Sequence, residues 1–248
     1  MPHSRPCYSL ILLLCYSILS SIPHRIERTR NRHSRAVLQG DTIVIRLARN
    51  LSLSEEHRHI ESLLKRMAKA VAGERKKAVI DPFRPLFEGA SSLLLDLPSG
   101  RRCLFALQPG KRTKAKRMEQ GWIVDIGAST HRRTLHRFLW RLLADRELPS
   151  IRSLVQEINR ETLRVRISGV RIAWASSQWG SCSANGIIML NASLLLLPEE
   201  CLRYVIIHEL AHRLVHRHST RFWKTVACAC PEYDSLRARL RMYRFCSL

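Results

Sequence analysis

Tyr204-Val205-Ile206-Ile207-His208-Glu209-Leu210-Ala211-His212 is an apolar run broken at its end by two histidines and a glutamate. Residues four apart share a helix face, with Cβ atoms roughly 5–6 Å apart, so His208 and His212 can grip one metal ion. Glu209 projects beside them without being needed as a ligand. It can take a proton from a water on the metal, which is the arrangement of a zinc hydrolase. The apolar residues before the histidines predict a helix that is buried and that dries the site.

A catalytic zinc usually takes three protein ligands and leaves the fourth position to water. On an unbroken helix His208, His212 and His216 would stack on one face, but the outer pair would lie about 12 Å apart at 1.5 Å per residue. One ion with bonds of about 2.0–2.1 Å cannot reach both. His218 is therefore the expected third ligand, brought back by a turn of the chain. Cys182 is an upstream alternative, because some hydrolases pair a cysteine with such a helix.

Working outward, Pro198 suits the first helical position, and Glu199 and Glu200 suit the positive first turn of a helix running to about Val215. Ser219 can cap a second helix with Phe222, Trp223 and Val226; Pro231 interrupts it and residues 232–245 supply a last one. Upstream, residues 163–167 and 170–175, split by Ser168-Gly169, read as a hairpin. Helices are expected over 129–146 and, after Pro149, over 150–162. Residues 93–97, 103–107 and 122–126 read as strands, and Lys111, Arg112, Lys114, Lys116 and Arg117 as a solvated loop before the last of them. Residues 42–47 pair with 34–38 in an N-terminal hairpin, and Ser54-Glu55-Glu56 opens a helix to about Ala72. The order predicts an α+β protein with an N-terminal antiparallel sheet region over 25–162 and active-site helices in a catalytic region over 163–248.

With 248 residues, 46% of them hydrophobic, the chain can bury a core. Lys+Arg 42 against Asp+Glu 20 gives +22, which suits nucleic acid or an acidic membrane and equally a basic solvated surface. The arginines are scattered, and aromatics at 6% give no run of stacking side chains for bases. The 8 cysteines include no Cys-x-x-Cys pair, which argues against a zinc ribbon and for reduced thiols in a cytosolic protein. Residues 7–22 are apolar but shorter than the roughly 20 needed to span a bilayer. Only Arg5 precedes them, and no small-x-small cleavage site follows. Arg25, Arg28, Arg30, Arg32 and Arg35 would hold the C-terminal side in the cytoplasm. Residues 1–24 read first as an over-extended reading frame, then as a membrane anchor with the catalytic region in the cytoplasm, and last as a cleaved signal.

Trp179-Gly180-Ser181-Cys182-Ser183, then Leu190-Asn191, then the His208–His212 helix, then His218-Ser219 with Phe222-Trp223, resemble the YgjP-like metallopeptidase family, which is related to the SprT and WLM zincins. The likeness is strongest over 164–241, continues through 25–162 with Arg32-His33-Ser34-Arg35, and excludes residues before His24. It implies a zincin-like fold, Zn2+ on His208, His212 and His218, and Glu209 as catalytic base. Arg217 departs from the pattern, where relatives often carry Asn or Gly before the third histidine. Trp179, Gly180, Ser181 and Cys182 then read as an edge strand that aligns an extended peptide by main-chain pairing, or as a tight turn with Trp179 in the core. The expected function is a zinc peptidase with peptide or protein substrates. A metal-dependent ribonuclease of the YbeY ribosome-maturation type is the first alternative; those proteins share the histidine spacing but lack a glutamate at the position of Glu209. A protease acting on nucleic-acid-bound proteins is the second, by analogy with the SprT and WLM relatives. A basic binding protein with a structural zinc is the third, and a structural site has no use for Glu209.

Overall fold

Thr42–Leu47 (β3) is β-branched and buried along its middle, and it forms the central strand of a small sheet. In the computed structural model, which describes residues 23–39 and 42–246, Arg35–Gln39 (β2) pairs antiparallel with β3, as the hairpin reading expects. His24–Arg28 (β1) adds a parallel strand on the other side of β3, so the order is β1-β3-β2. Helix α1, Leu53–Arg75, packs its Leu63 against Ile43, Ile45 and Leu47. Its cap is Ser52, in a reciprocal box with Glu55, two residues before the predicted start. These elements form one compact unit, ending at Lys77, and the rest of the chain forms a second. The apolar stretch 7–22 lies outside the described residues. No helix among those described is long and apolar enough to cross a membrane.

The second unit opens with Ala78–Ile80 (β4) and the short helix α2, Arg84–Phe87. Ser92–Asp96 (β5), Arg102–Gly110 (β6), Lys114–Met118 (β7) and Gly121–Gly127 (β8) make a sheet of order β5-β6-β8-β7. Of the charge run expected as a loop, Lys111 and Arg112 lie in the turn, but Lys114, Lys116 and Arg117 belong to strand β7. It occupies the sheet edge with its cations turned outward, and Lys114 pairs with Asp125 at 3.4 Å. An edge strand tolerates such a sequence because charge there blocks pairing with other chains.

Arg132–Glu161 (α3) is one continuous helix across Pro149, not two. Proline removes the bond to the carbonyl of Asp145, but both residues are exposed, so that group is open to solvent. The buried stripe through Leu139, Leu143, Ile151, Val155 and Ile158 runs on unbroken beneath it. Phe83 sits edge-on between Phe105 of β6 and Trp140 of α3, each at 5.2 Å.

The hairpin expected over 163–175 is corrected as well. Residues 163–168 form no strand, because Asn159 holds Val165 through both its amide oxygen and nitrogen and Arg164 takes a positive φ of 50°. Gly169–Ala173 (β9) instead pairs parallel with Ile187–Asn191 (β11), and Gly180–Cys182 (β10) pairs antiparallel with the other side of β11. A 3-10 turn follows over Ala192–Leu196, and then helices α4 (Glu199–Ala211), α5 (Thr220–Ala229) and α6 (Tyr233–Leu240). The last helix stops at Leu240, and Tyr243–Phe245 (β12) pairs parallel with β4. Helices and small sheets mixed in this way make an α+β fold.

Candidate metal centre

Helix α4 is apolar on nearly all sides and therefore lies at the centre of the unit, with Cys201, Leu202, Tyr204–Ile207, Leu210 and Ala211 all buried. It packs against α3, α5, α6, β10 and β11. The helix ends at Ala211, four residues earlier than its sequence suggests, and His212 is its C-terminal cap. The chain then turns through Val215 and re-enters helix at α5, where the Ser219 hydroxyl accepts the Phe222 N–H. That reversal returns His218 to the face that carries His208.

The three imidazoles converge. One ring nitrogen of each of His208, His212 and His218 lies within 4.8 Å of the others, and the Nε2 atoms of His208 and His218 are 3.0 Å apart. Two nitrogens bound tetrahedrally to one zinc sit about 3.3 Å apart, so the spacing fits a shared ion. His212 donates from Nδ1 to the Val215 carbonyl at 3.2 Å, which leaves its Nε2 lone pair available to a metal. Burial, with His212 and His218 adding to it, pushes His208 down to about 3, and burial lowers His212 too. Both rings are thus held neutral, as ligands must be. His208 Nδ1 is buried without a hydrogen-bond partner among the described residues. His216 is exposed and stands outside the cluster, as does Cys182.

Glu209 is buried beside the histidines, and burial pushes its carboxyl up to about 8. Strand β10 lies directly against it. A Cβ on Gly180 would stand 2.7 Å from Glu209 Oε1, so any larger residue would force the carboxylate to shift. Of the predicted peptide-aligning segment, Gly180, Ser181 and Cys182 form β10 at the edge of its sheet, and Trp179 packs on Phe245 at 4.5 Å. The Cys182 thiol is half-buried and pushed up by that burial.

Several supporting residues escape a reading of the helix motif alone. Phe222, fully buried, places its ring 4.9, 4.5 and 4.8 Å from those of His208, His212 and His218. Trp223 stacks on His218 at 5.6 Å and on Tyr233 at 5.5 Å, and the Arg237 guanidinium lies 4.6 Å from its ring centre. Asn191 donates to the carbonyls of Ala175 and Gln178 and accepts the Ser193 N–H, which pins the loop that leads into β10. Arg213 links the β10–β11 turn to the segment before β9, donating to the carbonyls of Ala184 and Arg166. An aromatic pair just after a serine cap was the one visible signal of the first two.

Known proteins can be set beside this geometry. The model of the YgjP-like metallopeptidase domain matches residues 31–243. No curated protein matches the chain. Among solved structures, the metallopeptidase zymogen of Pyrococcus abyssi abylysin is 30% identical over 36% of this chain and 89% of its own, with a TM-score of 0.33. The family match covers most of the sequence and all of the histidine cluster, and the chain therefore belongs to the YgjP-like metallopeptidase family and is a metal-dependent peptidase.

Proposed function

We propose that the chain is a zinc-dependent peptidase in which His208, His212 and His218 hold the ion and Glu209 is the general base. The observation that carries this reading is the convergence of three imidazoles beside a buried carboxyl. Zinc in such a site supplies Lewis acidity, lowering the pKa of a bound water from about 15.7 toward about 7. Glu209 accepts the proton of the attacking water and passes it to the leaving amine. Burial raises the affinity of the Glu209 carboxyl for a proton, which suits a group that holds one between the two transfers. Gly180 keeps that carboxyl in place, and Phe222 closes the inner side of the histidine rings against water.

Strand β10 has one side paired to β11 and the other unpaired in its sheet. A substrate in extended form would add there as a strand, held by main-chain bonds that do not depend on its sequence. This assigns Gly180, Ser181 and Cys182 to substrate alignment, Trp179 to supporting them from its contact with Phe245, and the chemistry to residues 163–248. Glu209 favours peptide hydrolysis over the ribonuclease alternative, and the arginine-rich segment after residue 24 favours a cytoplasmic catalytic region.

The test is Glu209→Gln, with zinc content and cleavage of an unfolded protein measured on the same preparation. Zinc should stay near one equivalent at the histidines while turnover falls by about 10²–10⁴-fold. Turnover at the wild-type rate would remove Glu209 from the chemistry, and undiminished zinc in His218→Ala would remove His218 from the ligands.

A further inference from the structure

Away from the histidine centre, Asp81, His136 and Cys246 bring a carboxylate oxygen, an imidazole nitrogen and a sulfur within 4.8 Å of one another. They come from distant parts of the second unit. Asp81 directly follows β4, His136 lies in the second turn of α3, and Cys246 directly follows β12. His136 is wholly buried and Cys246 nearly so. The rings of Phe83, Phe87, Trp140 and Trp174 surround His136 at 5.2–6.1 Å.

Within this aromatic setting Asp81 Oδ1 lacks a hydrogen-bond partner among the described residues. A buried carboxylate oxygen without a donor is costly, and such atoms usually mark an ion or water that belongs there. The Cys246 thiol lies within hydrogen-bond reach of the Asp81 carboxylate, yet that contact leaves Oδ1 orphaned. A purely hydrogen-bonded cluster therefore does not account for the site.

We propose that Asp81, His136 and Cys246 form a second metal site, for a divalent cation of the zinc type that accepts oxygen, nitrogen and sulfur together. One carboxylate and one thiolate neutralise a divalent charge, which is what burial demands. On binding, the Cys246 S–H bond breaks, its electron pair goes to the metal and its proton goes to solvent. Asp81 Oδ1 stands 3.8 Å from His136 Nε2, against the roughly 3.3 Å expected of two light ligands on one tetrahedral ion. Asp81 and Cys246 sit at the ends of short strands and can close that gap, while His136 is fixed in its helix. Trp140 donates its indole N–H to His136 Nε2 at 3.0 Å, and a bound ion would displace that donor. A single neutral hydrogen bond is weak beside coordination that includes a thiolate. The bound ion would staple β12 to α3, and β12 carries Phe245, the partner of Trp179 at the entrance to β10.

Cobalt substitution of the reduced, full-length chain tests this, because thiolate–cobalt bonds give a near-ultraviolet charge-transfer band that histidine ligands do not. Wild type should take two cobalt ions per chain and show the band. The band should survive His208→Ala/His212→Ala, survive Cys182→Ser, and vanish in Cys246→Ser together with one equivalent of metal. Should Cys246→Ser fail to fold by circular dichroism, Asp81→Asn decides between the outcomes, with at least a tenfold loss of affinity for the second ion expected. A single cobalt with no thiolate band, a band that persists in Cys246→Ser, or unchanged second-ion affinity in Asp81→Asn overturns the proposal.

Discussion

At Gly180 a hydrogen in place of a methyl group decides where Glu209 sits. An added Cβ would lie 2.7 Å from Oε1 and 2.9 Å from Cγ, and β10 is bound into its sheet, so the carboxylate must give way. Gly180→Ala should lower turnover by about 10²-fold, the cost of a displacement near 1 Å in a reacting group. Zinc content should not change, since no histidine is touched. Steady-state kinetics alongside metal analysis checks this, and a wild-type rate would show that Glu209 tolerates the shift. His208, Glu209 and His212 were legible because helical spacing alone brings them together. Gly180 was legible only as part of a motif; its reason lies in a close approach between a strand and a helix that no local pattern records.

Helix α5 does more than extend the turn that carries His218. Its serine cap fixes where the helix starts, and the next turn puts Phe222 beneath the imidazoles and Trp223 against the outermost of them. His212 is oriented by the Val215 carbonyl, whereas His218 is oriented by aromatic stacking backed by Tyr233. Trp223→Ala should therefore weaken zinc binding by about 10–100-fold, and Trp223→Phe should recover most of the loss. Competition with a chelator measures it; equal affinity in Trp223→Ala would deny the stack any part in holding His218. Elements defined by local signals, such as the capped helices and the β2–β3 hairpin, were legible in the sequence. The misread ones were settled by partners far along the chain: β9 by β11, β12 by β4, and α3 by a core stripe that outweighs one exposed proline.

Across the whole molecule, buried titratable groups pull stability in opposite directions with pH. In the metal-free chain Glu209 titrates near 8 against an ordinary value of 4.5, so above 4.5 the unfolded chain sheds a proton that the fold retains. Stability then falls as pH rises toward 8. His208 and His136, pushed down by burial to about 3 and about 4 from 6.5, act in reverse. Below 6.5 the unfolded chain takes protons that the fold refuses, so stability falls as pH drops. The metal-free protein should be most stable near pH 6.5 and lose about 2 kcal/mol between there and pH 8. Glu209→Gln should abolish that alkaline loss in urea titrations; an equal loss in both proteins would assign it to other groups.

The reversal of the chain after α4 also bears on the order in which the protein assembles. His208 and His218 are separated by 10 positions, whereas Asp81 and Cys246 are separated by 165. Closing the longer loop costs about 2.5 kcal/mol more in chain entropy. Under the proposed assignment, His208, His212 and His218 can gather around an ion while most of the chain is still unfolded, which makes metal capture there a local event. Asp81, His136 and Cys246 meet only when β12 reaches β4, which makes their meeting a late step that reports completion of the fold.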